Sequence, residues 1–140
     1  RESAPGYVFG YACGNDLSAR DSQFLSTQWL AGKSFPGFAP AGPVIVTADS
    51  FNPCDANGIY CDVNGIRMQS GDTSDMIFSC AEIVSVASRF FRLDVGDLIF
   101  TGTPPGVILG REKGKRVWLK SGDVVQVTID GIGTLTTPLI

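Results

Sequence analysis

The sequence predicts a single β-rich α+β domain over residues 1–140, built from curled mixed β-sheets of the β-roll kind with one main amphipathic helix. Three observations carry that prediction. Short apolar runs recur along the chain between clusters of Gly, Pro, Asn and Asp, the pattern of strands joined by tight turns. Only one segment keeps apolar residues at helical spacing over several turns. With 44% hydrophobic residues among 140, the chain is large enough for one core, and no linker or repeat divides it.

The first strand is read in "YVFGYACG", Tyr7 to Gly14, and the second in "GPVIVTAD". "FNPCDANG" is a loop. In "IYCDVNGIRMQ" two alternating runs flank Asn64-Gly65, and Asn-Gly supplies the positive φ angles of a two-residue hairpin turn. The helix is predicted within "TSDMIFSCAEIVSVASRFF", with Thr73 or Ser74 capping free N–H groups and Asp75 at the positive end of the dipole. Ile77, Cys80, Ile83, Val84, Ala87 and Phe91 make its apolar face, so the helix is expected to lie on a sheet as a structural element. "DVGDLIFTGTPPGV" runs from a turn into a strand and then a Gly/Pro loop, and "GDVVQVTIDGIGTLTTPL" reads as a closing hairpin with Asp130-Gly131 at its tip.

Several function classes are excluded by what the sequence lacks. It contains no histidine, so it holds neither a Ser-His-Asp nor a Cys-His pair. Cys13, Cys54, Cys61 and Cys80 form no Cys-x-x-Cys unit, which argues against structural zinc. Cys13 and Cys80 sit inside apolar runs as free buried thiols do, and a reducing, cytoplasmic location is expected. Net charge is −3, and basic residues cluster only at Arg111 to Arg116, a short loop read as solvated surface, so no nucleic-acid partner is expected. No apolar run approaches the roughly 20 residues of a membrane span, and no membrane partner is expected. "GNDLSARD" lacks dinucleotide-loop glycine spacing, and "GTPPGVILGREKGK" lacks the Gly-Lys-Ser/Thr ending of a P-loop.

What remains is a polar cluster held among apolar residues. "GNDLSARDSQFLSTQWLAGKSF" sets Asp16, Arg20, Asp21, Gln23 and Lys33 among Leu17, Phe24, Leu25, Trp29, Leu30 and Phe35. Asp16 comes after Gly14-Asn15 at a strand end. It is read either as an oxygen ligand for a hard divalent cation or as a cap on the next turn.

Five blocks, "GYACGNDLSARDSQ", "QWLAGKSFPGFAPAGP", "VNGIRMQSGDTSDMIF", "LDVGDLIFTGTPPGV" and "WLKSGDVVQVTIDGIGTL", occur in an order and spacing that resembles the fumarylacetoacetate hydrolase family. The resemblance covers nearly the whole chain and matches the C-terminal part of that family's catalytic domain. It implies a partial catalytic domain whose upstream part is absent. It also implies a divalent metal, Mg²⁺ or Mn²⁺, with Asp16 as one ligand, Lys33 as the active-site lysine, and Arg20, Gln23 and Thr103 at the substrate end of the site. For Arg20 a role bracing the loop is an equal alternative, and for Thr103 a turn hydroxyl. The family's Glu-x-Glu metal ligands are not found, since the glutamates are Glu2, Glu82 and Glu112. Further carboxylates are therefore expected outside this segment.

The chemistry implied is hydrolysis of a carbon–carbon bond in a β-diketo acid of the acylpyruvate or fumarylpyruvate type. A related 2-oxo acid isomerase, such as 2-hydroxyhepta-2,4-diene-1,7-dioate isomerase, or a decarboxylase fits the same resemblance. The alternative is a noncatalytic relative of the same fold in which Asp16 and Lys33 form a structural ion pair. The resemblance further implies a homodimer, and Asp16, Lys33 and Thr103 are expected to line one cavity.

Overall fold

A computed structural model describes residues 2–140. The described residues form two antiparallel sheets. A two-stranded ribbon pairs β1 (Gly10–Gly14) with β2 (Ala41–Thr47), and a four-stranded sheet runs in the order β4-β3-β5-β6. The four strands are β3 (Gly58–Val63), β4 (Ile66–Asp72), β5 (Val124–Ile129) and β6 (Gly133–Pro138). Among the described residues the α-helices are α1 (Arg20–Gln23) and α2 (Cys80–Ala87).

Both predicted hairpins form. Asn64 and Gly65 adopt φ of 51° and 78° between the paired residues Val63 and Ile66, the conformation that matches the twist of the flanking strands. Asp130, Gly131 and Ile132 close the second hairpin between Ile129 and Gly133. Along β5 the side chains alternate, and Val125 and Val127 are buried. The core gathers Cys13 from β1, Phe51, Val127 and Ile132, with Tyr11, Val46, Cys61, Ile129 and Leu135 packed around them. The ribbon thus sits on the four-stranded sheet.

Three elements differ from the sequence reading. The first strand starts at Gly10, because Ala4–Tyr7 forms a 3-10 turn with Pro5 near its start. The helix starts at Cys80, not near Thr73. Ser79 and Glu82 form a reciprocal capping box, while Asp72 caps a separate 3-10 turn at Thr73–Asp75. Ile77 and Phe91 consequently fall outside the helix, and Ile77 is 89% exposed. The helix packs chiefly on the Ala4–Tyr7 turn and buries no residue completely, so it does not lie flat on a sheet. Finally, Leu98 to Phe100 form no strand, since no ladder pairs with them.

The basic loop is also less solvated than expected. Arg111 Nη2 donates to the Met68 carbonyl at 3.3 Å, and Arg116 Nε donates to the Arg111 carbonyl at 2.8 Å.

The β3–β4 hairpin is tied to β5 by one buried carboxylate. Asp123, 4% exposed, accepts from the Lys120 backbone N–H at 2.9 Å, Lys120 Nζ at 2.7 Å and Asn64 Nδ2 at 3.0 Å. Asn64 Oδ1 in turn accepts from the Val124 N–H at 2.9 Å. The Lys120 side chain, then that of Asn64, hold the Asp123 carboxyl down at about 2, against an ordinary value of 3.8. A depressed carboxylate stabilises the fold fully above its unfolded pKa, and that contribution is lost as pH falls through the folded value. Wild type is therefore expected to melt above Asp123→Asn at pH 7, with the gap closing between about pH 4 and pH 2. A gap in melting temperature that stays constant across that window would show that Asp123 acts through shape rather than charge.

Candidate active site

The polar cluster begins where β1 ends. Cys13 is fully buried and its thiol donates to the Gly133 carbonyl on β6 at 3.3 Å, so the strand is anchored one residue before Gly14. Asn15 N–H then donates to the Pro40 carbonyl at 3.0 Å, turning the chain outward at Asp16. The Asp16 side chain does not cap the turn. Its Oδ2 accepts from Lys33 Nζ at 2.6 Å, with the side chain of Lys33 27% exposed and that of Asp16 47%.

Backbone packing brings Lys33 there. A Cβ on Gly32 would stand 2.5 Å from Gln23 Cβ and 2.7 Å from the Ala19 carbonyl, so only glycine allows the Trp29–Gly32 turn to sit against α1. Ala19 N–H donates to the Gly32 carbonyl at 2.9 Å and closes that contact. The flanking Trp29 and Phe35 are exposed. Beneath them Gln23 is 1% exposed, and its Oε1 accepts from Arg20 Nη1 at 2.5 Å. Arg20 and Gln23 thus brace one another as a floor to the turn.

Thr103 stands in a second cluster. It lines a large open cleft together with Gly14, Cys13 and Phe100 between β1, α2 and the segment after Asp97. Asp16 and Lys33 are not among the residues lining that cleft, so the structure yields two clusters where one cavity was expected. They are joined through Phe100, whose ring packs directly on Gly14, two residues before Asp16. Thr103 Oγ1 is not a free turn hydroxyl, because Gln69 Nε2 on β4 approaches it at 2.8 Å. Nothing in the sequence linked position 69 to 103, since the contact depends on how the loop folds over the sheet edge.

Asp16 is flanked by two buried polar atoms without a protein partner, Asn15 Nδ2 and Ser18 Oγ. Among the described residues, however, no group of three His, Cys, Asp or Glu side chains comes together to hold a metal ion. One carboxylate shared with Lys33 does not make a divalent site on its own. Burial pushes the thiols of Cys13, Cys61 and Cys80 above their ordinary value, which disfavours the thiolate at each, while Cys54 is exposed. No helix among the described residues is long and apolar enough to cross a membrane.

Comparison with known proteins gives this geometry a setting. The chain is 42% identical to the mitochondrial oxaloacetate tautomerase fahd2 of Xenopus laevis, over 99% of this chain and 44% of that protein. It superposes on a fumarylacetoacetate hydrolase from Exiguobacterium antarcticum with a TM-score of 0.92 and 44% identity, covering 99% of this chain and 49% of that one. Against a 2-hydroxyhepta-2,4-diene-1,7-dioate isomerase from Mycobacterium marinum the TM-score is 0.88 at 40% identity, with 99% and 50% covered. The chain thus spans about half the length of the relatives it matches. With the model of the fumarylacetoacetate (FAA) hydrolase C-terminal domain matching residues 1–140, the chain belongs to the fumarylacetoacetate hydrolase family, whose members among its relatives are hydrolases, isomerases and tautomerases.

Proposed function

We propose that residues 1–140 carry the larger part of the active site of a metal-dependent enzyme of 2-oxo acids. The reaction is hydrolysis of a carbon–carbon bond in a β-diketo acid of the acylpyruvate or fumarylpyruvate type, or the related isomerisation or decarboxylation. The observation that carries this reading is the Lys33–Asp16 contact directly beyond the end of β1, with the Thr103 loop packed through Phe100 on that same strand end. All of these reactions place negative charge on an enolate oxygen, and fixed donors aimed at that oxygen lower the barrier.

Lys33 has three N–H donors and uses one on Asp16, which leaves two for a substrate oxygen. Arg20 and Gln23 shape the floor of this site, and Thr103 reaches the substrate from the cleft side. The names of the relatives include a tautomerase, a hydrolase and an isomerase, which supports the shared enolate more than any one bond cleavage. The proposal includes a requirement for Mg²⁺ or Mn²⁺, with Asp16 as one ligand and further carboxylates from polypeptide outside residues 1–140. It also includes a homodimer, for which the exposed Phe24, Leu25, Trp29 and Leu30 beside the site offer apolar surface.

A second reading, a noncatalytic relative with Asp16 and Lys33 as a structural ion pair, is favoured by the closed 2.6 Å contact. Its weakness is energetic. A partly exposed pair contributes about 0–1 kcal/mol, and the position of Lys33 is already set by the Gly32 turn.

The test is turnover of acylpyruvate and of oxaloacetate by the complete polypeptide, before chelation, after it, and after Mn²⁺ is returned. Activity on at least one substrate, lost on chelation and restored by Mn²⁺, is the expected result. No turnover of either with Mn²⁺ present would favour the noncatalytic reading. Lys33→Met is expected to keep its melting temperature near that of wild type while losing on the order of 10²–10³ in kcat, the typical effect of removing one preorganised donor. Full kcat in that variant would make Lys33 structural. Sedimentation of the complete protein at micromolar concentration is expected to give a dimer, and a monomer would remove that part of the proposal.

A further inference from the structure

The hydrogen bonds around Thr103 have a direction. Gln69 lies on β4, the edge of the four-stranded sheet, and its Nε2 stands 2.8 Å from Thr103 Oγ1 and 2.7 Å from the Pro104 carbonyl. A carbonyl oxygen can only accept, so the Pro104 contact fixes which end of the amide faces the loop. The NH₂ end faces Thr103 as well. Thr103 Oγ1 must then accept from Gln69, and the hydroxyl's own proton is directed away from β4.

The loop that carries Thr103 is pinned to the same stretch of strand at its other end. Gly106 has φ +110°, and a Cβ there would collide with the Met68 carbonyl. That same carbonyl accepts from Arg111 Nη2 at 3.3 Å. The segment forms no ladder, so its order comes from these side-chain and close backbone contacts with Met68 and Gln69.

We infer that Gln69 is a positioning residue that fixes Thr103 as a hydrogen-bond donor toward an anionic oxygen of the substrate. The inference rests on the proposed role of Thr103 at the substrate end of the site, and it adds a sign to that role. A hydroxyl whose lone pair is occupied by an amide presents O–H. It suits a carboxylate or enolate oxygen and disfavours an N–H or a cation. Selectivity at this end of the site thus comes from a residue that never touches the ligand.

The test is steady-state kinetics on oxaloacetate, with Mn²⁺, for Thr103→Val, Gln69→Glu, Gln69→Met and the double variant Gln69→Glu with Thr103→Val in the complete polypeptide. Melting temperatures are recorded for each. Gln69→Glu keeps the size of the side chain but replaces the donor with an acceptor, so Thr103 donates back to it and turns a lone pair on the substrate. The expected result is a KM raised about tenfold or more in Gln69→Glu, with kcat falling by less than KM rises. Gln69→Met, which leaves the hydroxyl free to rotate, is expected to show a smaller rise, and the double variant to be no worse than Thr103→Val alone. Gln69→Glu should also recover part of its KM defect as pH is lowered and the introduced carboxyl gains a proton to donate. A rise in KM for Thr103→Val with none for Gln69→Glu would overturn the positioning role and leave the proposed role of Thr103 intact. No rise for either would overturn both. If Gln69→Glu does not fold, a KM for Gln69→Met equal to that of wild type overturns the inference.

Discussion

The arrangement of the molecule depends on the burial of Cys13. It is the residue of β1 that enters the shared core, fully buried among Phe51, Val127 and Ile132, and its thiol is bonded across to β6. The register of the ribbon breaks just there, from Tyr11 paired with Val46 to Cys13 paired with Gly42. The extra residues lie on β2, where Pro43, Val44 and Ile45 stand against Ala12 alone, so it is β2 that bends while β1 runs on through Cys13. Gly14, Asn15 and Asp16 come directly after, so the place where the ribbon meets the four-stranded sheet decides where the first carboxylate of the site stands. A larger side chain at position 13 would move the strand end, and overpacking of this sort typically costs about 1–3 kcal/mol.

Magnitudes separate what builds the site from what the site contains. The Asp16–Lys33 contact is short, but both side chains are partly exposed and such pairs contribute about 0–1 kcal/mol. The fit of Gly32 against Ala19 and Gln23 is a matter of excluded volume, and no side chain can occupy 2.5 Å from another carbon. Packing therefore places the lysine, and the ion pair then orients its ammonium. The ion pair is not what holds the fold together.

The sequence revealed the hairpins because their signals are local. Asn64-Gly65 and Asp130-Gly131 each determine a turn within a few residues, and the alternation in β5 reads directly as a buried face. The helix was legible in kind but not in extent, since Thr73, Ser74 and Ser79 all carry capping hydroxyls and only Ser79 has a glutamate three residues on. Asp16 and Lys33 were legible through resemblance to a family, and the structure places them in contact. The links that mattered and were not legible are long-range: Gln69 to Thr103, Phe100 to Gly14, Arg111 to Met68 and Asn64 to Asp123. Each joins segments whose proximity is decided by topology, and no local spacing records it.

The same distinction explains why Leu98 to Phe100 read as a strand. Their composition fits one, yet backbone pairing requires a partner ladder, and the neighbouring edge strand β4 meets this segment through Gln69, Met68 and the loop after Phe100 instead. A segment ordered by side-chain docking opens more easily than one held in a ladder, because fewer backbone hydrogen bonds break when it moves. The four-stranded sheet supplies the edge, and the Gln69 amide and the Met68 carbonyl hold the Thr103 loop against it without a ladder.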